Sequence, residues 1–348
     1  MLLDNSINKS LYISIQYGYA NKRETSMSEK ESFLDKIDIT QYSAKKLIAI
    51  PLIILLLAFV VIAYTQMSVG SPVHLGMDFT GGTWVKISTD ETKEALAVKF
   101  DGYPVILVGE TGVGNEKRIE FDLTSDSLEY DLLIETLNNE YGVGTYELES
   151  ISAQFGLQYQ TQALKALIFA FIFMAIVVFV AFRMIIPPLA VIFAAFSDIV
   201  VAIACMNLIG MELSLGTVAA LLMLIGYSVD SNILLTTNLL RKKGDLDLKI
   251  RNAMKTGITM TFTTLSAVFA MFIVSSSIHL FSSHFAPIPI LVDISLVLLF
   301  GLVMDLANTW LLNAGLLKLY LEKKESKKFK RKKGVEKLNV KKKSKNAI

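Results

Sequence analysis

The chain has 348 residues, of which 53% are hydrophobic and 19% are charged, and its formal net charge is +2. Soluble proteins carry about a quarter charged residues, and the apolar residues here are gathered into runs longer than the helices of a soluble core. The composition therefore excludes a purely soluble protein and predicts an integral membrane protein. The single cysteine, Cys205, excludes an intrachain disulfide.

Six apolar runs are long enough to cross a hydrocarbon core of about 30 Å, which takes roughly 20 helical residues. Lys45 and Lys46 precede the first run, and the long polar stretch before them favours an uncleaved anchor over a signal peptide. We therefore predict a polytopic α-helical membrane protein with six transmembrane helices. The predicted spans are Leu47–Met67, Ala166–Phe182, Leu189–Ile209, Leu213–Leu235, Ile258–Val274 and Ile288–Leu312.

Basic residues are concentrated on one side of these spans. Lys and Arg near the ends of a span are retained on the cytoplasmic side. The loop 241–255 and the chain after 317 are rich in Lys and Arg, whereas the segments 210–212 and 275–287 contain none. We expect a multi-pass protein of the cytoplasmic membrane with both termini in the cytoplasm. Its N-terminal segment 1–46 is predicted to be partly disordered, residues 68–162 to be exterior, and 163–317 to hold helices two to six.

The C-terminal tail 318–348 is a lysine-rich, low-complexity segment with few apolar residues to bury, so we predict that it is disordered. Each Lys near a membrane surface contributes about 1 kcal/mol of attraction to anionic lipid headgroups. Aromatic residues, which stack on bases in nucleic-acid-binding proteins, are not interleaved with the lysines. We therefore expect anionic lipid as the partner of the tail, and no nucleic acid.

The exterior segment 68–162 alternates between strand and helix patterns. Residues Gly82–Ser88 alternate as a strand, with Thr83, Val85 and Ile87 on one face. Helical patterns follow at 90–100 and 127–141, and further strand patterns at 103–108, 118–123 and 145–151. The order β-α-β-β-α-β predicts an α+β ferredoxin-like domain between the first and second transmembrane helices.

Enzymatic and cofactor sites find little support in the sequence. The glycine-rich loop 109–117 is not a phosphate loop, because Asn115 follows Gly114 where that motif requires Lys. No acid or cysteine near the histidines completes a typical metal-ligand set, and no nucleophile with a paired base is apparent. The three histidines are His74, His279 and His284. We expect no cofactor, no metal and no enzymatic activity.

Three carboxylates lie well inside predicted spans: Asp198, Asp230 and Asp305. A charge at the bilayer centre costs roughly 3 kcal/mol, so such residues are candidates for function by default. One interpretation is a proton relay, with Asp230 as the first candidate; the other is a set of hydrogen bonds that hold the helices together. Possible partners are Ser228, Ser231, Asn232, Thr236, Thr237, Asn238, Asn308 and Asn313.

Two motifs give the chain a family resemblance. The segment Gly76–Gly82 reads GMDFTGG, in which Asp78 can bond local amides in a tight turn and the glycines allow unusual backbone conformations. It resembles the GxDFxGG signature of the SecF family. The segment 212–230, which ends in GYSVD, resembles the fourth-span block of that family, and residues 230–237 resemble its archaeal form. The motif residues are Gly76, Asp78, Phe79, Gly81, Gly82, Gly226, Tyr227 and Ser228.

The resemblance implies an auxiliary subunit of the Sec export machinery, in the resistance-nodulation-division superfamily. Its implied partners are SecD, a SecY-type channel and unfolded exported polypeptides, and its implied energy source is the proton motive force. Family members often carry an arginine about two turns after the acid, where this chain has Asn238. A passive scaffold subunit without its own proton path therefore stays open. Half of a small-molecule exporter is less favoured, because 68–162 is short for enclosing a drug-sized pocket.

Overall fold

A computed structural model of the chain describes residues 43–110, 116–241, 246–281, 288–324 and 326. Several predictions fall outside these ranges and stay predictions. They concern the N-terminal segment 1–42, the glycine-rich loop at 111–115, His284 and most of the lysine-rich tail.

The described elements follow one another as three groups. The first is α1 (Ala44–Val69), α2 (Met77–Thr80), β1 (Gly82–Ser88), α3 (Lys93–Lys99) and β2 (Val105–Glu110). The second is β3 (Glu116–Phe121), α4 (Leu128–Tyr141), β4 (Tyr146–Ile151), α5 (Ala153–Phe182) and α6 (Ile186–Leu208). The third is α7 (Leu215–Arg241), α8 (Leu246–Phe281), α9 (Pro289–Ala307) and a π-helix (Asn308–Asn313). The chain stays helical from the π-helix to residue 324.

Among the described residues, six helices are long and apolar enough to cross a membrane: α1, α5, α6, α7, α8 and α9 with its continuation. The chain is therefore a polytopic helical membrane protein, as predicted. Helices α5 and α8 both begin well before their predicted spans. Helix α5 begins at Ala153 rather than Ala166. Its first turns lie outside the apolar run, and they are held against α2, where the Gln160 side-chain amide donates to the Phe79 carbonyl at 2.8 Å.

The segment between α1 and α5 folds into a four-stranded antiparallel sheet in the order β2-β3-β1-β4. The predicted order of strands and helices is confirmed, and β1 has the predicted bounds because its alternation is unbroken. Thr83, Val85 and Ile87 are buried on one face, as predicted. The two helices cover that face and complete a core of Val85, Ile87, Leu96, Phe100, Ile119, Phe121, Leu123, Leu133 and Leu137.

Helices α3 and α4, which cover the sheet, both begin at a side-chain cap. Thr92 Oγ1 accepts a hydrogen bond from the Ala95 amide at 3.2 Å, and Ser127 Oγ accepts one from the Tyr130 amide at 3.3 Å. Such caps satisfy amides that have no acceptor within the helix and stabilise it by about 1 kcal/mol. They explain why α3 begins later than the predicted helix at 90–100.

In the membrane bundle, α6 is the most buried of the six spanning helices described. It contacts α1, α7 and α9, and α9 also packs on α7 and α8. Small residues allow this close packing, because without bulky side chains helix backbones approach one another within the membrane. The buried small residues of α6 are Ala190, Ala194, Ala195, Ser197, Ala202 and Ala204. Since α6 carries Asp198, its position brings that carboxylate into the centre of the bundle.

Candidate functional site

The centre of the bundle contains Asp198 of α6 and Asp305 of α9, which are 0% and 1% exposed. Side chains of α7 contact both. Ser228 Oγ donates to Asp198 Oδ2 at 2.5 Å, and Ser231 Oγ lies 2.9 Å from each carboxylate oxygen of Asp305. We refer to Asp198 and Asp305 as the carboxylate pair.

The π-helix supplies the remaining bonds to the carboxylate pair. Asn308 Nδ2 donates to Asp198 Oδ1 at 2.7 Å, and Thr309 Oγ1 donates to Asp305 Oδ1 at 3.1 Å. Consecutive residues thus contact different carboxylates. Among the described residues, every hydrogen bond given to the pair comes from a hydroxyl or an amide, and none comes from Lys, Arg or His. Single π-helical turns within helices are frequently found at functional sites.

The hydroxyl of Ser231 has more neighbours than it can donate to. Besides Asp305, it lies 3.0 Å from the Ser228 carbonyl and 3.1 Å from Thr309 Oγ1. A hydroxyl carries one proton, whereas a protonated carboxylic acid can donate as well as accept. Asp305 therefore has a partner in both protonation states. As a carboxylate it accepts a hydrogen bond from Ser231, and as a carboxylic acid it donates one to Ser231.

A row of polar side chains continues from the carboxylate pair along α7 towards Arg241. Asn232 Nδ2 donates to the Ser228 carbonyl at 2.7 Å, and Asn313 Nδ2 donates to Asn232 Oδ1 at 2.7 Å. Ser228, Asn232 and Thr236 are spaced by four residues, so they share one face of α7, and all three are 0% exposed. Within the described part of the chain, four buried polar atoms of this region have no hydrogen-bond partner: Thr236 Oγ1, Asn308 Oδ1, Trp310 Nε1 and Asn313 Oδ1.

Of the three predicted carboxylates, the structure brings Asp198 and Asp305 together and places Asp230 elsewhere. Asp230 is exposed, although it lies between Ser228 and Ser231 in the sequence. It belongs to an exposed stripe of α7, spaced by three or four residues, which we call the α7 face. The α7 face consists of Ala219, Met223, Gly226, Tyr227 and Asp230.

Thr309 is the contact of the carboxylate pair that the sequence analysis did not name. The signal was present, because Thr309 lies four residues after Asp305 and such residues share a helix face. Asn308, which sequence reasoning did name, reaches Asp198 rather than its neighbour Asp305. Thr237 and Asn238, also named as possible partners, make no side-chain hydrogen bond to the pair in the described residues.

The Gly76–Gly82 motif lies where the sheet-forming segment between α1 and α5 meets the bundle. Its aspartate was predicted to bond local amides, and that prediction is wrong: Asp78 Oδ2 accepts from the Leu215 amide at 2.7 Å, 137 residues away in the sequence. The first amides of a helix have no acceptor within it, and the start of α7 lies within reach of Asp78. The predicted glycine conformations are confirmed, with φ of 80° at Gly81 and 136° at Gly82.

A polar cavity of about 480 Å³ adjoins Asp78, between the open face of the sheet and the ends of α7 and α9. Five carboxylates line it: Asp78, Glu120, Glu149, Glu212 and Asp293. The Nε atom of Arg118 lies 3.0 Å from Glu120 Oε1, and the guanidinium lies over the Trp84 ring. Burial, and after it the Glu120 carboxylate, raises the pKa of Glu212 above its usual value. Among the described residues, no three His, Cys, Asp or Glu side chains are arranged so that they could hold a metal ion together.

Comparison with known proteins places this chain in a protein family. Residues 134–323 match the family model described as "Protein export membrane protein SecD/SecF, C-terminal". The chain is 46% identical over 286 residues to the protein-export membrane protein SecF of Methanolacinia petrolearia, covering 82% of this chain and 97% of that protein. It is 40% identical over 295 residues to SecF of Pyrococcus furiosus, covering 83% of this chain and 95% of that protein.

A solved structure shares the fold. The crystal structure of SecDF from Thermus thermophilus, described as a translocon-associated membrane protein, superimposes with a TM-score of 0.61. The sequence identity is 22%, and the match covers 80% of this chain but 38% of that longer chain.

Proposed function

This chain belongs to the SecD/SecF family of protein-export membrane proteins, and from that membership we propose that it is an auxiliary subunit of the Sec export machinery. In this proposal it acts with SecD and a SecY-type channel to assist the passage of unfolded polypeptides across the cytoplasmic membrane, using the proton gradient. The proposal assigns it no enzymatic activity. Both termini are cytoplasmic, and the sheet segment is an exterior ferredoxin-like domain, which its strand order supports.

The observation that carries the proton-coupling proposal is the carboxylate pair. Two fully buried carboxylates receive hydrogen bonds from neutral groups only, as far as the chain is described. A charge at this depth costs roughly 3 kcal/mol on the most lenient scales, and binding a proton removes that cost. The partners of Ser231 suit both states of Asp305, so a proton can bind and leave without breaking the network.

The bonds to the carboxylate pair join three helices, which connects proton binding to helix position. Asp198 lies on α6, its donor Ser228 on α7, and its other donor Asn308 just after α9. A change of charge alters the strength of these bonds, because hydrogen bonds to an ionised group are roughly twice as strong as neutral ones. Proton uptake and release therefore favour different packing of α7 against its neighbours.

The α7 face supports SecD as the partner within the membrane. An aspartate facing hydrocarbon is costly, so intramembrane acids face other protein or water. Gly226 lies on this face, and nothing within 4 Å would contact a Cβ placed there. Small residues of this kind let another helix approach closely. We assign the α7 face to contact with a helix of SecD, with Asp230 in the interface.

A passive scaffold subunit is the second candidate, and one observation favours it. The same hydrogen bonds that suit a proton site also hold α6, α7 and α9 together, which is a common use of polar residues in membranes. The two candidates differ in whether the carboxylate pair exchanges protons during export.

The test is the double replacement Asp198→Asn with Asp305→Asn, which keeps side-chain size and removes both ionisable groups. Export of a secreted reporter is measured in membrane vesicles with and without an uncoupler, alongside co-purification of SecD. We expect intact SecD binding, reduced export, and residual export that the uncoupler no longer lowers. Asp131→Asn, at an exposed site in α4, is the matched control. Export that stays at the wild-type level and sensitive to the uncoupler would favour the scaffold.

A further inference from the structure

The junction between the exterior domain and the bundle is built around the start of α7. The Leu213 amide donates to the His74 carbonyl at 2.6 Å, and the Gly76 amide donates to the Leu213 carbonyl at 2.9 Å. The Leu215 amide donates to Asp78 Oδ2 at 2.7 Å. Three successive bonds thus join residues 74–78 to residues 213–215.

Asp78 completes the cap of α7. Within the helix start, Ser214 and Thr217 cap each other: the Thr217 amide donates to Ser214 Oγ at 3.2 Å, and the Ser214 amide donates to Thr217 Oγ1 at 2.7 Å. The Leu215 amide instead donates to Asp78, a residue of the exterior domain. A carboxylate is a favourable acceptor there, because the N-terminal end of a helix carries partial positive charge. The exterior domain therefore holds α7 by the helix end itself.

The packing around this bond leaves little freedom. A Cβ at Gly76 would lie 3.0 Å from the Leu213 carbonyl oxygen, and one at Gly81 would lie 2.8 Å from the Ala153 amide nitrogen. A Cβ at Gly156 would lie 2.7 Å from the Phe79 carbonyl oxygen. The motif therefore lies against the backbone of α5 on one side and the start of α7 on the other.

The two ends of this connection are placed to transmit movement. After Gly81 the chain enters β1, a central strand paired with both β3 and β4. At the other end, Ser228 and Ser231 follow Leu215 on α7 by 13 and 16 residues, or about 20–24 Å at 1.5 Å per residue. Helix α7 thus carries two of the donors to the carboxylate pair and is bonded at its start to the exterior domain.

We propose that Asp78 is a positioning residue that fixes the exterior domain to the first turn of α7, so that movement of α7 at the carboxylate pair reaches the exterior sheet. This inference rests on the proposed function for the origin of the movement. The fixation itself is independent of proton coupling and is tested separately.

The bond can be removed from either side. Asp78→Ala removes the acceptor, whereas Asp78→Asn keeps one, since Asn caps helices about as well as Asp. Leu215→Pro removes the amide hydrogen at the first helical position, where proline is well tolerated. Leu215→Ala is its matched variant, because it shortens an exposed side chain but keeps the donor. If one bond is responsible, the combination of Asp78→Ala and Leu215→Pro will be no worse than either alone.

The first readout is the distance between two spin labels in the full chain, reconstituted in lipid nanodiscs. The labels replace Val143 in the exterior domain and Leu208 at the end of α6, which are 85% and 69% exposed, in a background where Cys205 is replaced by Ala. We expect a narrow distance distribution for the parent, Asp78→Asn and Leu215→Ala. We expect a broad distribution for Asp78→Ala, Leu215→Pro and their combination.

The second readout is export of a secreted reporter in cells, with co-purification of SecD measured alongside. The broadened variants should lose about tenfold in export, the effect expected for one hydrogen bond to a charged group, with SecD binding retained. Unchanged distances in Asp78→Ala and Leu215→Pro, or an equal loss of export in Asp78→Asn, would overturn the proposal. If the proton-coupling proposal is wrong but this one is right, the distance distributions of these variants will still be broad. The only missing result will then be the lowering of the parent chain's export by an uncoupler.

If Asp78→Ala fails to accumulate in the membrane, Leu215→Pro decides alone. Its expected result is the broad distribution together with the loss of export, and a parent-like result in both measurements overturns the proposal.

Discussion

The side-chain amide of Asn308 donates a hydrogen bond to Asp198 Oδ1 at 2.7 Å, although the two residues are 110 positions apart in the sequence. Asp198 is fully buried, and its other carboxylate oxygen accepts from Ser228. The bond joins the π-helix to α6. It is one of the two side-chain hydrogen bonds that the described residues donate to this carboxylate.

We expect Asn308→Leu to destabilise the bundle, because it removes a donor from a buried carboxylate while keeping a similar volume. The cost of leaving such a group under-satisfied is about 1–3 kcal/mol. It can be measured as a lower thermal unfolding temperature in detergent. Asn252→Leu, at an exposed position of α8, is the control. Equal unfolding temperatures for the two variants would contradict the prediction.

Gly226→Leu should block SecD binding without harming the fold of this chain. Nothing in the chain lies within 4 Å of a Cβ at Gly226, and leucine is a better helix former than glycine by roughly 0.8 kcal/mol. The unfolding temperature of the isolated chain should therefore stay the same or rise, while co-purification of SecD falls. Full recovery of SecD with this variant would argue against the α7 face as the interface.

Gly156→Ala should destabilise the junction between α2 and α5. A Cβ there would lie 2.7 Å from the Phe79 carbonyl oxygen, which is backbone and cannot turn away. Overpacking of this kind typically costs 1–3 kcal/mol. Gly102→Ala is the matched control, because a Cβ at Gly102 would have nothing within 4 Å. The test is the thermal unfolding temperature of both variants. Equal unfolding temperatures would refute the close contact.

Glu212→Gln should stabilise the protein at neutral pH and reduce its pH dependence. Burial, followed by the Glu120 carboxylate, raises the pKa of Glu212 in the folded state. The folded chain then binds more protons than the unfolded one, so the free energy of unfolding falls as pH rises above about 4.3, the usual value for Glu.

Unfolding temperatures at pH 4 and pH 7 test this. The gain from Glu212→Gln over the parent should be larger at pH 7. Glu129→Gln, at an exposed site in α4, should show no such difference. An equal gain at both pH values would mean that Glu212 does not titrate differently in the two states.

Local patterns in the sequence determined the secondary structure and the membrane character. The apolar runs predicted all six membrane-spanning helices, because a segment that spans a membrane must be apolar over about 20 residues whatever packs beside it. The alternation of Gly82–Ser88 predicted β1 at the same bounds. The order of strands and helices followed from the same periodicities, which depend only on neighbouring residues.

Only the tertiary structure decided which polar residues meet. The sequence named Asp198, Asp230 and Asp305 as candidates, with Asp230 first, and helical spacing showed which residues share a face. Spacing within one helix does not reveal which helix lies opposite, so the pairing of Asp198 with Asp305 and the exposure of Asp230 depended on how α6, α7 and α9 pack. For the same reason the sequence predicted that Asp78 bonds amides of its own turn. In the folded chain Asp78 instead lies beside the start of α7, whose first amides have no acceptor within the helix.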